Sequence, residues 1–419
     1  MSYDKDITRD PNGKYNGNEL DYVKEVLDSE NRESRKNPFV GRLERKFSEI
    51  FKSKYAIAHN SGTSTLHSCL AALGIGAGDE VISPVQTVIM CGFSTLHQNA
   101  IPVFVDVDPK TFNMDPKDIE RKITKRTKAI IAVHMHGLPA DMPSIMEISK
   151  KYNIPVIEDC AQTVMGMIDG KIAGTFGHLA SFSFETKKHI SGGEGGMVTT
   201  NDEKLGTLVR RVAGLGYKTL EAGQALRAIL PEEFQSPNYK RHNILGWNYR
   251  MNEITAAVVL AQLERVDFLV DRRKKVASLY EKSLESCDWI IPQHTPSNYI
   301  NSWWTFTVRY LGEEKFNFSW KDFWTKYKRN GGDGFYGGLS LTVDEPVMID
   351  RPFLEKYLPE KLCPGIKESF NYPKGSFPVA EKLQPQMMQF KCNYRNLDEA
   401  KNNALILKKT INEVENQCK

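Results

Sequence analysis

The sequence has no Cys-x-x-Cys pair, no marked excess of either charge, and no apolar run longer than six residues. Each absence excludes a class of protein. The seven cysteines, at 69, 91, 160, 287, 363, 392 and 418, are odd in number and far apart. That pattern argues against a disulfide framework or a cysteine-based zinc site and suits reduced thiols. Lys and Arg exceed Asp and Glu by only 56 − 52 = 4 over 419 residues. Positive charge so dilute argues against a dedicated nucleic-acid binder. The longest apolar runs, Ala129–Val133 and Ala256–Ala261, fall far short of the roughly 20 residues of a membrane span. The polar first residues, with Asp4, Asp6 and Asp10, lack the apolar centre of a signal peptide, so a cytoplasmic location is expected.

What is present is a rhythm. Between 55 and 200, short apolar, β-branched runs alternate with longer helical patterns. Strands are predicted at Tyr55–His59, Glu80–Ser83, Pro102–Val107, Ala129–Val133, Pro155–Glu158, Leu179–Phe184 and Gly196–Thr200. Helices are predicted at Gly62–Leu73, Val88–Gln98, Pro116–Ile123 and Pro143–Tyr152. Several strands are apolar throughout, as burial on both faces requires. The expected class is therefore α/β, with a mostly parallel central sheet between helices. In such sheets ligands gather at the carboxyl ends of the strands. Residues 217–243 read as a long polar loop with one short helix, and one long helix is predicted from about Met251 to Ser286. After it come five of the six tryptophans (Trp289, Trp303, Trp304, Trp320, Trp324) and Gly- and Pro-rich loops. The expected domains are 1–250, a connecting helix at 251–287, and a smaller α+β domain at 288–419. The basic run Arg272–Lys275 reads as a solvated helix face.

Four segments carry chemistry. Asn60-Ser61-Gly62-Thr63-Ser64 stands at a strand-to-helix turn, where backbone N–H groups favour an anion, although Ser and Thr are also ordinary caps. Val156-Ile157-Glu158-Asp159 ends an apolar strand in two acids, able to meet a ligand or to cap a helix. Phe184 is followed by Lys187 and Lys188 and then a four-glycine turn; a lysine at the end of a buried strand can lose its proton and form a Schiff base. Gly246-Trp247-Asn248-Tyr249-Arg250-Met251-Asn252-Glu253 opens the long helix, where Arg250 and Glu253 could pair. His134 and His136 form an i,i+2 pair with no evident third ligand, so no metal site is expected.

A phosphate cradle, a carboxylate and a buried lysine are what a pyridoxal phosphate enzyme needs. From about Gly17 to Gln262 the chain resembles the DegT/DnrJ/StrS family of PLP-dependent sugar aminotransferases, on the motifs SGT, VIEDCAQ, SFSF-x₃-K-x₅-EGG and GWNYRMNE in that order. The resemblance implies the fold-type I architecture with pyridoxal 5′-phosphate as cofactor and pyridoxamine 5′-phosphate as its intermediate form. It implies that Lys188 is the Schiff-base lysine, being four residues after Phe184 and six before Glu194. It implies Asp159 at the pyridine nitrogen, Gln162 at the ring hydroxyl side, and Gly62, Thr63 and Ser183 at the phosphate. Asn248 would reach the phosphate of a neighbouring subunit in a homodimer with shared active sites. Val88 stands where the family places an aromatic ring on the cofactor. The family's small-domain Pro-Leu-His segment is replaced by Phe335-Tyr336-Gly337-Gly338.

The implied reaction moves an amino group from L-glutamate to a keto sugar, most simply one linked to a nucleotide. Lys218, Lys240 and Arg241 of the polar loop are candidates for a substrate diphosphate. Competing readings are a sugar 3-dehydratase, which carries His in place of the lysine, and an aminotransferase for a keto-inositol or small keto-phosphate. A cysteine desulfurase would have to use Cys363. A non-catalytic PLP-fold regulatory or binding protein is the reading from another class.

Overall fold

Strands form at the short apolar runs between 55 and 200, whose side chains are buried on both faces, whereas the six-residue run Ala256–Ala261 lies in a helix. The computed structural model describes residues 13–28, 37–223, 231–356 and 366–417; Cys363, Cys418, the acidic first residues and part of the 217–243 loop lie outside them. Seven strands form the main sheet: β1 (Tyr55–His59), β2 (Glu80–Pro84), β3 (Ile101–Val105), β4 (Thr127–Val133), β5 (Val156–Asp159), β6 (Leu179–Ser183) and β7 (Gly196–Thr200). Their order is β1-β7-β6-β5-β4-β2-β3. The run from β6 through β5, β4 and β2 to β3 is parallel. Only β7 is reversed, against both β6 and β1. Every residue of β2, β5, β6 and β7 is buried, as a sheet covered on both faces requires.

Three of the helices that cover it begin at side-chain caps, which satisfy otherwise orphaned N–H groups. Ser61 accepts from Ser64 N–H at the start of Gly62–Ala72, Asp141 caps Met142–Tyr152, and Asp202 caps Glu203–Ala213.

The single helix expected over 251–286 is instead two, Glu253–Leu263 and Val266–Leu284. The chain turns at Glu264-Arg265, where Arg265 leaves helical geometry (φ −124°, ψ 27°). Its guanidinium is held by Glu19 at 2.6 Å and by the Lys14 carbonyl at 3.0 Å. A long-range ion pair thus sets a break that local propensity does not mark. The expected Arg250–Glu253 pair is not formed among the described residues. Glu253 accepts instead from Val40 N–H (3.2 Å), at the start of the Phe39–Ile50 helix.

The second of these helices joins two cores. Val266 and Val270 pack with Phe47, Phe182 and Phe184 under the main sheet. Val276, Ala277, Tyr280 and Leu284 pack with Trp289, Phe306 and Phe390. That second core lies on a four-stranded sheet of Ile290–Pro292, Thr305–Tyr310, Met387–Lys391 and Tyr336–Gly337. Residues from the C-terminal third, among them Leu341, Phe370 and Phe377, also pack with Phe104 of the edge strand β3. No helix among the described residues is long and apolar enough to cross a membrane.

Candidate active site

The carboxyl ends of β1, β2, β4, β5 and β6 open onto one crevice, and the sequence motifs lie there. After β1, Gly62 approaches Ser183 of β6 so closely that a Cβ would stand 2.8 Å from the Ser183 Cβ. The main-chain N–H groups of Gly62 and Thr63 are the first of their helix and have no partner of their own among the described residues. Two orphan N–H groups, the positive end of a helix and the Ser183 hydroxyl make a cradle for a phosphate. The glycines of the 192–196 turn serve the return of the chain. Gly193 and Gly195 have φ of +90° and +143°, which favours glycine. Gly196 lies where a Cβ would meet the Ser61 carbonyl at 2.6 Å.

The two acids of β5 point to opposite faces, as strand alternation demands. Glu158 accepts from the N–H groups of Gly174 (2.7 Å), Phe176 (2.7 Å) and Gly177 (2.6 Å), and from His134 Nε2 (3.1 Å). Because His134 Nδ1 accepts from Ala140 N–H, the imidazole is the neutral tautomer that donates from Nε2. Asp159 has far less: Ala161 N–H at 3.0 Å and the Cys91 thiol at 3.6 Å. Burial pushes its carboxyl above the usual range, opposed by the Ala161 N–H and by the Lys188 charge. Such a carboxylate gains most from a cationic partner.

The two histidines read as a pair do not act together. His134 turns to Glu158, while His136 has φ of +62° and turns to Thr305 (3.3 Å). His134, Glu158 and Cys160 do converge, but the histidine and carboxylate already hold each other and four N–H groups in all.

Lys188 is half-buried, in the turn that follows β6. Its Nζ lies 4.6 Å from the centre of the Trp304 ring, a cation–π distance. Burial lowers its proton affinity; Asp159 and Glu185 oppose this, and Arg273 and Lys187 add to it. An amine so placed reaches the neutral, nucleophilic form more readily than a free lysine. Lys187 points elsewhere, with Nζ 5.5 Å from the Tyr336 ring centre. Of the Phe335–Gly338 segment, Tyr336 thus meets the neighbour of Lys188. Lys14 of the N-terminal arm donates to the Thr186 carbonyl at 2.7 Å and ties the same turn from outside.

Gln162 is buried, and its side-chain oxygen accepts from His136 N–H at 2.9 Å, which leaves the NH₂ group free to donate. Val88 follows β2 and is 38% exposed. Asn248 is exposed on this chain, and its carbonyl accepts from Asn60 at 3.4 Å, next to the cradle. Of the three basic loop residues, Lys240 is exposed. Lys218 covers the Tyr239 ring at 4.5 Å. Arg241 builds the loop itself, donating to the carbonyls of Phe234 (2.7 Å) and Tyr239 (3.4 Å).

Two residues at the site were missed. Trp304 was one aromatic among many. Arg273 stands in a basic run that reads as a solvated helix face, yet it is 5% exposed and donates to the carbonyls of Lys187 (3.1 Å), Lys188 (3.3 Å) and Trp304 (2.8 Å). Its spacing carried a signal: 266, 270, 273, 277, 280 and 284 form one buried helix stripe.

The residues fit pyridoxal 5′-phosphate: the cradle at Gly62, Thr63 and Ser183, the under-satisfied Asp159, and the Lys188 amine. When bound, that cofactor supplies the electron sink. A family profile described as the DegT/DnrJ/EryC1/StrS aminotransferase family matches residues 14–331. A GDP-perosamine synthase from Caulobacter vibrioides is 41% identical over 302 residues, 72% of this chain and 76% of that protein. A UDP-N-acetyl-3-dehydro-alpha-D-glucosamine 3-aminotransferase from Acidithiobacillus ferrooxidans is 38% identical over 250 residues, 59% and 62% of the two chains. The crystal structure of an aminotransferase from Psychrobacter cryohalolentis superposes with a TM-score of 0.82 at 28% identity, covering 95% of this chain and 97% of that one. The chain belongs to the DegT/DnrJ/EryC1/StrS family and is a PLP-dependent aminotransferase of fold-type I.

Proposed function

We propose that the chain transfers an amino group from L-glutamate to a keto sugar linked to a nucleotide, as a homodimer whose active sites are shared. The observation that carries the reading is the Lys188 amine, with its proton affinity lowered by burial, beside the Asp159 carboxylate. The relatives' names, one with a GDP-linked and one with a UDP-linked sugar, support the substrate class. In this reading Lys188 Nζ takes the proton from Cα of the amino donor and returns it during the second half-reaction. Asp159 holds its negative charge against the ring nitrogen, and Gln162 donates to the ring's oxygen side. A 3-dehydratase would need a residue other than Lys at 188, so that reading is set aside.

The test is a panel of GDP- and UDP-linked keto sugars with L-glutamate or L-glutamine, scored for amino sugar by mass spectrometry. Amination of a keto-inositol alone would overturn the substrate class. Lys188→Ala should lower turnover by roughly 10³-fold or more.

The shared site is supported by exposed Asn248 and by Leu245, 80% exposed three residues earlier. Mixing Lys188→Ala with Asn248→Ala protein should restore about a quarter of the activity, because random dimers carry one intact composite site in half of the molecules. No recovery on mixing removes the shared site. Lys218 and Lys240 remain the candidates for the substrate diphosphate, and Lys240→Ala should raise KM with little change in kcat.

A further inference from the structure

Arg273 is a charge in an expensive place. It sits in the middle of the Val266–Leu284 helix, in the stripe that otherwise carries Val266, Val270, Ala277, Tyr280 and Leu284. It is buried and has no carboxylate partner among the described residues; its hydrogen bonds go to three main-chain carbonyls. A buried, unpaired guanidinium is costly, and an apolar residue there would complete the helix stripe. All three carbonyls belong to the surroundings of Lys188: its own, that of Lys187, and that of Trp304, whose ring faces the Lys188 amine. Trp304 closes the bracket by donating from Nε1 to the Lys187 carbonyl at 3.2 Å.

We propose that Arg273 is a positioning residue for Lys188: its guanidinium fork fixes the lysine turn against Trp304, and its fixed positive charge favours the neutral amine. This rests on the aminotransferase reading of Lys188. Several charged and titratable groups surround that amine, and the cavity it lines is also lined by Arg265, Arg272, Cys392, Tyr394 and Arg395. Asp159 faces it from β5, Glu185, Lys187 and His189 flank it on its own turn, Arg273 faces it from the helix, and Lys14 grips Thr186 from the arm. The acids hold the proton on; Arg273 and Lys187 push it off, and of these two only Arg273 is buried and rigidly held. The two functions of Arg273 separate by substitution. Arg273→Lys keeps the charge and loses the fork, whereas Arg273→Met keeps the bulk and loses both.

The experiment measures the pH dependence of Lys188 acylation in protein freed of cofactor, read by peptide mass spectrometry. In parallel, the pH midpoint of the visible band and the single-turnover rate are read on the loaded enzyme. Arg273→Met should raise the Lys188 midpoint by about one pH unit, and Arg273→Lys should leave it near wild type while slowing turnover at least about fivefold. If both variants fold and neither moves the acylation midpoint by more than about 0.2 units, the charge role is overturned. If Arg273→Met does not fold, Arg273→Lys decides: wild-type turnover overturns the positioning role. Because acylation is read without cofactor or substrate, failure of the aminotransferase reading would leave this result standing separately.

Discussion

Glu158 and Asp159 are consecutive on one strand, both buried, and differently provided for. Glu158 faces away from the crevice and collects three N–H donors and a histidine. It pins the 174–177 turn to the sheet and has nothing left to offer a ligand. Asp159 faces the crevice with one N–H and a weak thiol donor. A buried carboxylate left short of partners is unfavourable until a cation arrives, so one acid holds the fold and the other is the one we propose meets the cofactor. Burial alone would not have separated them; the number of donors does.

The comparison breaks first at Asp159→Asn. Loss of the charge proposed to face the ring nitrogen should lower kcat at least about 10²-fold, while circular dichroism stays native-like and the unfolding midpoint does not fall. Glu158→Gln should do the reverse: about 2–3 kcal/mol less stable to urea, from buried N–H groups left facing an NH₂, with kcat of the folded fraction within threefold or so. If Glu158→Gln is the more damaging to turnover, the division of labour is wrong.

The pH dependence sharpens the same contrast. The folded-state pKa of Asp159 is raised above its ordinary 3.8 by burial, against the Ala161 N–H. The folded, cofactor-free protein therefore binds this proton more readily than the unfolded chain does. The cost of ionised Asp159 is fully present above the raised pKa and disappears as pH falls to about the ordinary value. Asp159→Asn should thus raise the thermal midpoint of cofactor-free protein at pH 7, with the gain shrinking toward pH 4; Glu158→Gln should lower it at both. The smallest effect expected is that of Cys91→Ala, a change of less than about threefold in cofactor affinity, since a thiol is a weak donor.

What could be read in advance depended on how locally a feature is determined. The phosphate cradle, Asp159 and Lys188 lie at strand ends within short motifs, and alternation along a buried strand brings them to one crevice. The break at Glu264-Arg265 depends on Glu19, far away in sequence, and no pattern around 264 marks it. Arg241, a candidate substrate ligand by charge and position, gives two of its five N–H donors to carbonyls of its own loop, which no sequence pattern marks. Arg273 lay between the two cases: composition hid it in a basic run, while its place in the helix stripe put it inside.

The helix that carries Arg273 begins in the core beneath the main sheet and ends in the core of the second sheet. Its guanidinium grips the lysine turn on one side and the Trp304 carbonyl on the other, so the geometry around Lys188 exists only once both cores have condensed around the same rod. The visible colour of the loaded protein is then more than a sign of bound cofactor. During refolding it should appear last, after helical signal and tryptophan burial are complete, as a readout that the two halves of the chain have found each other.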